Sequence, residues 1–340
     1  MDFDYAGCQM NRHTQHEQPS QAAMDIAEAS EAVDAVIDAV AEAVIAERSF
    51  LETVAMGLLS RGHVMLEDVP GTGKTLTARS FATALGLDFS RIQFTPDLLP
   101  NDITGTHIFD ERSSTFEFTE GPIFANVVLA DEINRAPPKT QAALLEAMEE
   151  GQVTAAGETF DLPSPFFVIS TMNPVEQEGV FPLPEAQLDR FTVKGSLGYP
   201  DLEGELSLLR RRAGRETQSP TVQPVDGNLD VTGLRRAAEH VHVDDDLLEY
   251  IVAIGRATRD RPEVRIGVSP RGVQRLFEAA RARAVIVGRE YLTPDDVKWA
   301  APPVLTHRVI LTPDARVKSI EATSVVEDVL DSVPVPTVEA

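Results

Sequence analysis

Cysteine and long apolar stretches are both scarce in this sequence of 340 residues. The single cysteine, Cys8, excludes an intramolecular disulfide and predicts a reducing compartment. No apolar run approaches the roughly 18 residues that suggest a membrane span. Residues 1–21 also lack the apolar segment and small-residue cleavage site of a secretory leader. Together these absences predict a soluble protein of the cytoplasm.

Lysine is almost as scarce, and acidic residues are abundant. The chain has 30 basic residues against 54 acidic ones, a net charge of -24, and lysine stands only at positions 74, 139, 194, 298 and 318. Such a surface suits a salt-rich cytoplasm, because ions screen the repulsion between carboxylates. We therefore expect a halophilic source, such as an archaeon, although the chain could simply be acidic. The charge weighs against sequence-independent binding to nucleic acid.

The hydrophobic pattern changes period along the chain. Apolar residues at helical spacing predict an amphipathic helix over residues 24–47 and a second helix over 49–59. Short apolar runs then alternate with helical patterns, which predicts an α/β fold with a mostly parallel sheet covered on both faces. The runs are "VMLE" (64–67), "RIQF" (91–94), "VVLA" (127–130), "FFVIS" (166–170) and "FTVKG" (191–195).

Composition also divides the chain into segments. Two beta-prone stretches flank the turn-like "DERSS", which predicts a hairpin at about 105–120 inserted into the α/β core. A polar stretch rich in turn formers predicts a linker, and the pattern after it is helical. The predicted organisation is a disordered tail at 1–23, a nucleotide-binding core at 24–205, a linker at 206–230, a small all-helical lid at 231–312 and a C-terminal tail at 313–340. Within that C-terminal tail, the residues from about 319 are predicted to form at most one short helix.

The stretch "LEDVPGTGKT" (66–75) follows a predicted strand and opens a predicted helix, as a phosphate-binding loop does. A lysine at a helix start opposes the helix dipole, so we expect a strongly negative ligand there. Glycine lets backbone amides approach a triphosphate, lysine reaches its outer phosphates, and the threonine hydroxyl binds Mg²⁺. Asp68 replaces the first glycine of the usual pattern, so its charge must point away from the ligand or be neutralised. The predicted nucleotide-binding residues are Pro70, Gly71, Thr72, Gly73, Lys74, Thr75 and Leu76.

Two carboxylates end the buried strand predicted in "VVLADEIN". Ligands of parallel sheets gather at the carboxyl ends of the strands. Asp131 is predicted to bind Mg²⁺, together with Thr75, and Glu132 to act as general base towards the attacking water. Taken alone, the pair could equally be two solvated carboxylates at a strand end.

Three further polar residues are candidates for the reaction. Asn173 ends the strand in "FFVISTMNP" and could orient the water, although Asn-Pro is also a frequent turn pair. Arg190, in "PLPEAQLDRF", could reach the nucleotide of a neighbouring subunit, or it could form a surface ion pair with Asp189 or Glu185. Arg271, in "GVSPRG", opens a lid helix and, placed against the core, would touch the γ-phosphate.

These motifs, in this order, resemble the AAA+ ATPases and, more narrowly, their MoxR-type group. The resemblance covers about residues 44–310 and includes "FTPDLLPNDITG" (94–105), "EGPIFANVVLADEINRAPPKTQAALLEAMEEGQVT" (120–154) and "STMNPVEQEGVFPLPEAQLDRF" (170–191). It implies a P-loop NTPase core with strand order 5-1-4-3-2, followed by a small all-α lid. The hairpin near 105–120 resembles the insertion in helix 2 of that group.

The resemblance also implies roles for single residues. It makes Gly71 to Thr75 the Walker A loop, Asp131 and Glu132 Walker B, Asn173 sensor 1, Arg190 the arginine finger and Arg271 sensor 2. Arg135 is the alternative finger. Where relatives carry "VGQ" this chain has Ile45-Ala46-Glu47, a departure beside the expected adenine pocket.

The resulting hypothesis is an Mg²⁺-dependent ATPase that forms an oligomeric ring. By resemblance the ring is a hexamer that helps mature or insert cofactors into a partner complex, often with a von Willebrand factor A domain protein. One alternative is a nucleic-acid motor, but residues 105–120 carry Arg112 and His107 against four carboxylates, Asp110, Glu111, Glu117 and Glu120. The other alternative is a nucleotide-gated binding module that does not hydrolyse ATP.

Overall fold

The computed structural model describes residues 24–112, 114–155, 157–173, 179–217, 220–225 and 229–336. The predicted tail at 1–23, with Cys8, lies outside these ranges. In chain order the strands are β1 Val64–Glu67, β2 Phe89–Gln93, β3 Gly105–Asp110, β4 Thr115–Glu120, β5 Val127–Asp131, β6 Gln152–Ala155, β7 Glu158–Asp161, β8 Phe167–Met172, β9 Val193–Gly195, β10 Val264–Ile266 and β11 Ile310–Leu311.

The helices alternate with the core strands and then dominate the second half of the chain. They are α1 Ile26–Ala43, α2 Arg48–Leu59, α3 Lys74–Ala84, α4 Pro100–Thr104, α5 Pro138–Glu150, α6 Glu185–Leu188, α7 Leu202–Ala213, α8 Val231–His240, α9 Asp245–Arg259, α10 Pro270–Ile286, α11 Pro294–Leu305, α12 Pro313–Val317 and α13 Ala322–Ser332. Two short 3₁₀ turns, Ile133–Arg135 and Thr306–Arg308, complete the regular elements. No helix of the described ranges is long and apolar enough to cross a membrane.

The central sheet has five parallel strands in the order β2-β5-β8-β1-β9. Numbered along the core, this is the predicted order 5-1-4-3-2. Alternate side chains of β5 enter two different cores, because successive side chains of a strand point to opposite faces. Val127 and Leu129 pack with the lid and with α1, α2 and α3, while Val128 and Ala130 pack with α5. The sheet is therefore covered on both faces, as predicted.

Two hairpins extend from the core. The predicted hairpin is β3 paired with β4, whereas β6 paired with β7 was not predicted. The rings of Phe118 and Phe160 stack with their centroids 3.9 Å apart and join the two hairpins. At the far end of β3–β4, Phe109 and Phe116 are 49% and 70% exposed, so the hairpin presents an apolar surface to solvent.

The second half of the chain forms a lid around α8 to α11, close to the predicted helices. The all-helical prediction is wrong in one detail, because β10 and β11 form an antiparallel pair. The predicted linker is also wrong over residues 206–213, which belong to α7; this helix buries none of its residues, so its polar sequence resembled a loop. The predicted tail at 313–340 contains α12 and α13, and α13 buries Val325, Val326, Val329 and Leu330 against the lid. The exact domain boundaries stay a prediction.

Candidate active site

The loop between β1 and α3 has the backbone of a phosphate-binding loop. Gly71 and Gly73 have φ angles of 88° and 103°, in the left-handed region where side chains are strained. Gly73 is the N-cap of α3, and Lys74 is the first residue of the helix. The first amides of a helix have no intrahelical acceptor and point outward, so this loop can bind an anion.

The Lys74 ammonium is held inside the loop. It donates hydrogen bonds to the carbonyl oxygens of Asp68 and Val69, at 2.7 and 2.8 Å. Partial burial lowers the pKa of Lys74, and the nearby carboxylates of Asp68, Asp131 and Glu132 oppose that shift. These contacts offset the cost of placing a cation at a helix start.

Asp68, the unusual first residue of the motif, points away from the loop. Its buried carboxylate accepts hydrogen bonds from the Ser196 hydroxyl at 3.1 Å and from the backbone amides of Leu197 and Gly198. It is not among the residues with positive φ, so no glycine is needed there. The departure from the usual motif therefore ties the loop to the segment after β9.

The carboxylate of Asp131 lies at the carboxyl end of β5, where it is buried and already hydrogen bonded. It accepts a hydrogen bond from the Thr171 hydroxyl at 2.6 Å and pairs with Arg91, whose Nη2 lies 2.7 Å away. Arg91 lies on the neighbouring strand β2 and was not predicted as a site residue. Since Mg²⁺ prefers oxygen ligands, the Asp131 carboxylate and the Thr75 hydroxyl fit that ion chemically.

Glu132 follows β5 in a left-handed conformation, with φ of 59° and ψ of 50°. Non-glycine residues in this region cluster at functional sites, because surrounding contacts must stabilise them. The Glu132 carboxylate accepts a hydrogen bond from Gln93 at 2.9 Å and pairs with Arg135 at 3.1 Å. Its backbone amide donates to Thr171 at 2.8 Å. The side chain is therefore directed towards β2 and towards Arg135, the last residue of the 3₁₀ turn that follows Glu132.

Asn173 directly follows β8, the strand between β5 and β1. Its side chain is buried at the same edge of the sheet as Lys74, Asp131 and Glu132. The predicted convergence of these residues follows from the topology, because parallel strands end at one edge.

A cavity of about 640 Å³ opens beside the loop. Gly71, Thr72, Gly73 and Leu76 line one side, and Val44 with Ile45 lines another. Tyr199 and the α7 residues Leu208 and Leu209 complete an apolar wall. Sequence reasoning pointed to Ile45 but missed α7, because its residues were interpreted as a linker.

Arg190 and Arg271 lie elsewhere. The Nε of Arg190 and an Nη of Arg271 both contact the Glu149 carboxylate, at 2.8 and 3.0 Å. The sequence suggested a neighbouring subunit's nucleotide, Asp189 or Glu185 as the partner of Arg190, and none of these is Glu149. Arg271 lies beside Arg190 and away from the phosphate loop of its own chain, and its predicted contact with a γ-phosphate stays a prediction.

Glu149, Arg190 and Arg271 form a group that we call the Glu149 cluster. It lies at the side of the sheet where the parallel strands begin, which we call the amino edge; the side where they end is the carboxyl edge. His63, which directly precedes β1, donates from Nε2 to the carbonyl of Met148 at 3.0 Å and accepts at Nδ1 from the amide of Val168. Burial lowers the pKa of His63 to about 4, so it stays neutral. Because the phosphate loop follows the other end of β1, the two arginines and the loop lie at opposite edges.

A buried arginine attaches the Arg190 segment to the lid. Arg308 is 7% exposed and donates to the Asp189 carboxylate at 2.7 Å and to the carbonyl of Phe191 at 2.8 Å. Burial lowers its pKa to about 10, while Asp189 opposes the shift. Arg308 thus fixes the residues before β9 against the lid, a role that no sequence motif indicated.

Known proteins share this architecture. A model of the ATPase family associated with various cellular activities (AAA) matches residues 63–193, and a model of the AAA lid domain matches residues 256–329. The chain is 42% identical over 335 residues to the chaperone MoxR1 of Mycobacterium tuberculosis, covering 96% of this chain and 88% of that one. The chain belongs to the MoxR family of AAA+ ATPases.

Two further proteins are similar to this chain over most of its length. The uncharacterized protein YeaC of Bacillus subtilis is 51% identical over 281 residues, covering 82% of this chain and 87% of YeaC. A crystal structure of a proposed ATPase from Cytophaga hutchinsonii superposes with a TM-score of 0.84 at 39% identity, covering 91% of this chain and 96% of that one. The predicted family and fold are confirmed, while a halophilic source stays a prediction.

Proposed function

We propose that this MoxR-family chain hydrolyses ATP with Mg²⁺ in an oligomeric ring, by resemblance a hexamer, and so remodels or matures a partner protein complex. The proposal is carried by one observation: a glycine-rich loop with Lys74 lies at the same sheet edge as Asp131 and Glu132. Binding and hydrolysis of a nucleoside triphosphate need these groups together.

The nucleotide would lie along the loop from the cavity to the sheet edge. The amides after Gly71 would bind the phosphates, and Lys74 would leave its two carbonyl partners for the outer phosphates. The apolar wall that includes Ile45 and Tyr199 would hold the adenine. Thr75 and Asp131 would hold Mg²⁺, which, when bound, offsets the negative charge of the phosphates.

Glu132 would accept the proton of the attacking water as general base, and Asn173 would orient that water. Before it can do so, the Glu132 carboxylate must exchange its contacts with Gln93 and Arg135 for the water. Asp131 must likewise exchange Arg91 for the ion.

Arg190 and Arg271 would act on the nucleotide of the neighbouring subunit. Their position at the amino edge separates them from the loop of their own chain, so a second copy must bring them to a triphosphate. Arg135 pairs with Glu132 beside the phosphate loop of its own chain, whereas Arg190 pairs with Glu149 at the opposite edge, and this location favours Arg190 as the finger.

The partner would be a protein and not a nucleic acid. The exposed end of β3–β4 is apolar at Phe109 and Phe116, and the hairpin carries an excess of carboxylates, which repel phosphates. The name of the relative MoxR1, a chaperone, supports this role. By family resemblance we propose a von Willebrand factor A domain protein as the associated partner, and the cytoplasm as the location.

The test is ATP hydrolysis with Mg²⁺ in molar potassium chloride, comparing the wild type, Glu132→Gln and the control Glu146→Gln, an exposed carboxylate of α5. We expect Glu132→Gln to bind ATP and assemble, as light scattering would show, but to hydrolyse it at least about 100-fold more slowly. The control should match the wild type. If the wild type assembles with ATP but does not turn it over, a nucleotide-gated module replaces the ATPase.

A further inference from the structure

A second cavity, of about 490 Å³, lies between the core and the lid on the side of the amino edge. It is bounded by the end of α2 and by one face each of α8 and α10. Four arginines line it against two carboxylates, in a chain whose net charge is -24. The charged lining residues are Arg61, Arg235, Arg275, Arg281, Glu239 and Glu278.

Only two of these arginines have a carboxylate partner. Arg61 pairs with Glu239 at 2.8 Å, and Arg275 pairs with Glu278 at 2.7 Å. Within the described part of the chain, no carboxylate lies at ion-pair distance from Arg235 or Arg281. The cavity therefore has two guanidinium groups in excess over its carboxylates.

The environment of the two unpaired arginines is costly for a cation. Among the described residues, Arg235 donates only to backbone carbonyls, at 2.9 Å to Leu58 and 3.5 Å to Phe166. Burial and the neighbouring charge of Arg61 lower the pKa of Arg235 to about 10. The Nε of Arg281 is buried without a hydrogen-bond partner among the described residues. Burial also lowers the pKa of the half-buried Arg281, and the charges of Glu239 and Glu278 oppose that shift. An added anion would offset the cost of burying these guanidinium groups.

The cavity continues towards the Glu149 cluster. Arg61 and Arg275 also line a smaller cavity of about 130 Å³ with Arg190 and Arg271. Within the larger cavity, the Arg281 guanidinium lies 5.2 Å from the ring centroid of Phe277. The two cavities thus share two arginines, and the smaller one also contains the proposed arginine finger.

We propose that this arginine cavity binds an anion that carries two or more phosphate groups. The planar guanidinium donates two parallel hydrogen bonds to phosphate oxygens, and two unpaired guanidinium groups match a multiply charged anion. A volume of about 490 Å³ lies within the range of small-molecule sites. The phosphates would come from a free compound or from the nucleotide of a neighbouring copy.

The probe is tripolyphosphate, and its binding is measured by calorimetry in EDTA at 0.15 M salt. The protein is the full chain with Lys74→Ala, because this substitution removes the main phosphate-binding side chain of the loop. We expect one binding event, weakened at least about tenfold by adding Arg235→Gln or Arg281→Met. Arg281→Met removes no described hydrogen bond, so it separates loss of binding from loss of folding. Arg256→Gln, an exposed charge on α9, is the matched control and should change nothing.

A second titration decides whether the phosphates come from a free compound or from a neighbouring nucleotide. In it, tripolyphosphate is added to wild-type protein that has been loaded with ATPγS and assembled. If tripolyphosphate still binds there, the ligand is a free phosphate compound. If binding disappears on assembly and Arg235→Gln raises the ATPγS concentration needed to assemble, the neighbouring nucleotide supplies the phosphates. If the Lys74→Ala chain binds no tripolyphosphate, or if Arg256→Gln weakens binding as much as Arg281→Met, the proposal is wrong, whether or not the chain is an ATPase.

Discussion

The two edges of the central sheet differ in how their charged residues are brought together. At the carboxyl edge, Asp131 and Glu132 come from one strand end, and β2 supplies Arg91 and Gln93 as partners. At the amino edge, Arg190 from the core and Arg271 from the lid meet on Glu149. The carboxyl edge has the groups that would bind the nucleotide and activate the attacking water. The amino edge has the cations that would stabilise the negative charge of the transition state. In the proposed function, a complete site would combine the two edges of two copies.

The largest expected effect comes from removing the amino edge's contribution. Arg190→Ala should lower ATP hydrolysis by about 10³-fold in assembled protein while ATP still binds, because an arginine finger acts on the transition state. Mixing Arg190→Ala with Glu132→Gln subunits should restore part of the activity, since some interfaces then combine an intact Arg190 with an intact Glu132. Steady-state turnover of the mixture against each variant alone measures this. A mixture as inactive as its components would place Arg190 outside the neighbouring site.

Acidification should act on the amino edge through His63. The pKa of His63 is lowered from 6.5 to about 4 by burial, so the unfolded chain binds more protons between these values. Stability should therefore fall as the pH drops from about 6.5 towards 4, by about 2 kcal/mol at pH 5. Urea unfolding at pH 7 and pH 5 checks this. His63→Gln should lose that share of the pH dependence, whereas the exposed His240→Gln should keep it.

Glu149 should have a smaller effect, because it positions the arginines without touching the nucleotide. Glu149→Gln removes the charge that both guanidinium groups share, and we expect kcat to fall by about tenfold, the equivalent of one charge-assisted hydrogen bond. The KM for ATP should stay within a factor of about two. Its neighbour Glu150→Gln, exposed and on the same helix, is the control. A change in KM instead of kcat would contradict this role, because it would show that Glu149 affects nucleotide binding and not turnover.

Arg91 should have the smallest effect. The Arg91 side chain is 46% exposed, and exposed ion pairs contribute little. Arg91→Gln frees Asp131, so the Mg²⁺ concentration for half-maximal hydrolysis should fall by about threefold. Arg316→Gln, an exposed lid arginine, should leave it unchanged. A higher Mg²⁺ requirement in Arg91→Gln would show that Arg91 supports the ion site instead of competing with it.

Much of the carboxyl edge could be predicted because its signals are local. The glycines, Lys74 and Thr75 are consecutive, and Asp131 with Glu132 ends one apolar run. Parallel strands then bring these ends together at one edge. The partners of these residues were not predictable. Arg91 and Asp131 are 40 positions apart in the sequence, and no periodic pattern relates the two.

The amino edge shows the limit of the same reasoning. Arg190 and Arg271 were both identified, but their meeting at Glu149 depends on how the lid packs, which no local pattern encodes. The polar α7 was interpreted as a linker for the related reason that helix propensity is a weak prior. Tertiary contacts decide whether such a segment is a helix with one covered face or a tail.

The sequence by itself determined the family and the chemistry of the phosphate loop, because the order and short-range spacing of the motifs specify them. The strand order followed from the resemblance to that family and not from periodicity. The tertiary structure alone decided where charge is compensated: Asp68 on the segment after β9, Arg308 on Asp189, and two arginines on one carboxylate. Burial makes an uncompensated charge costly, so partners distant in sequence are brought together. Their identity depends on the packing of core and lid, and not on spacing along the chain.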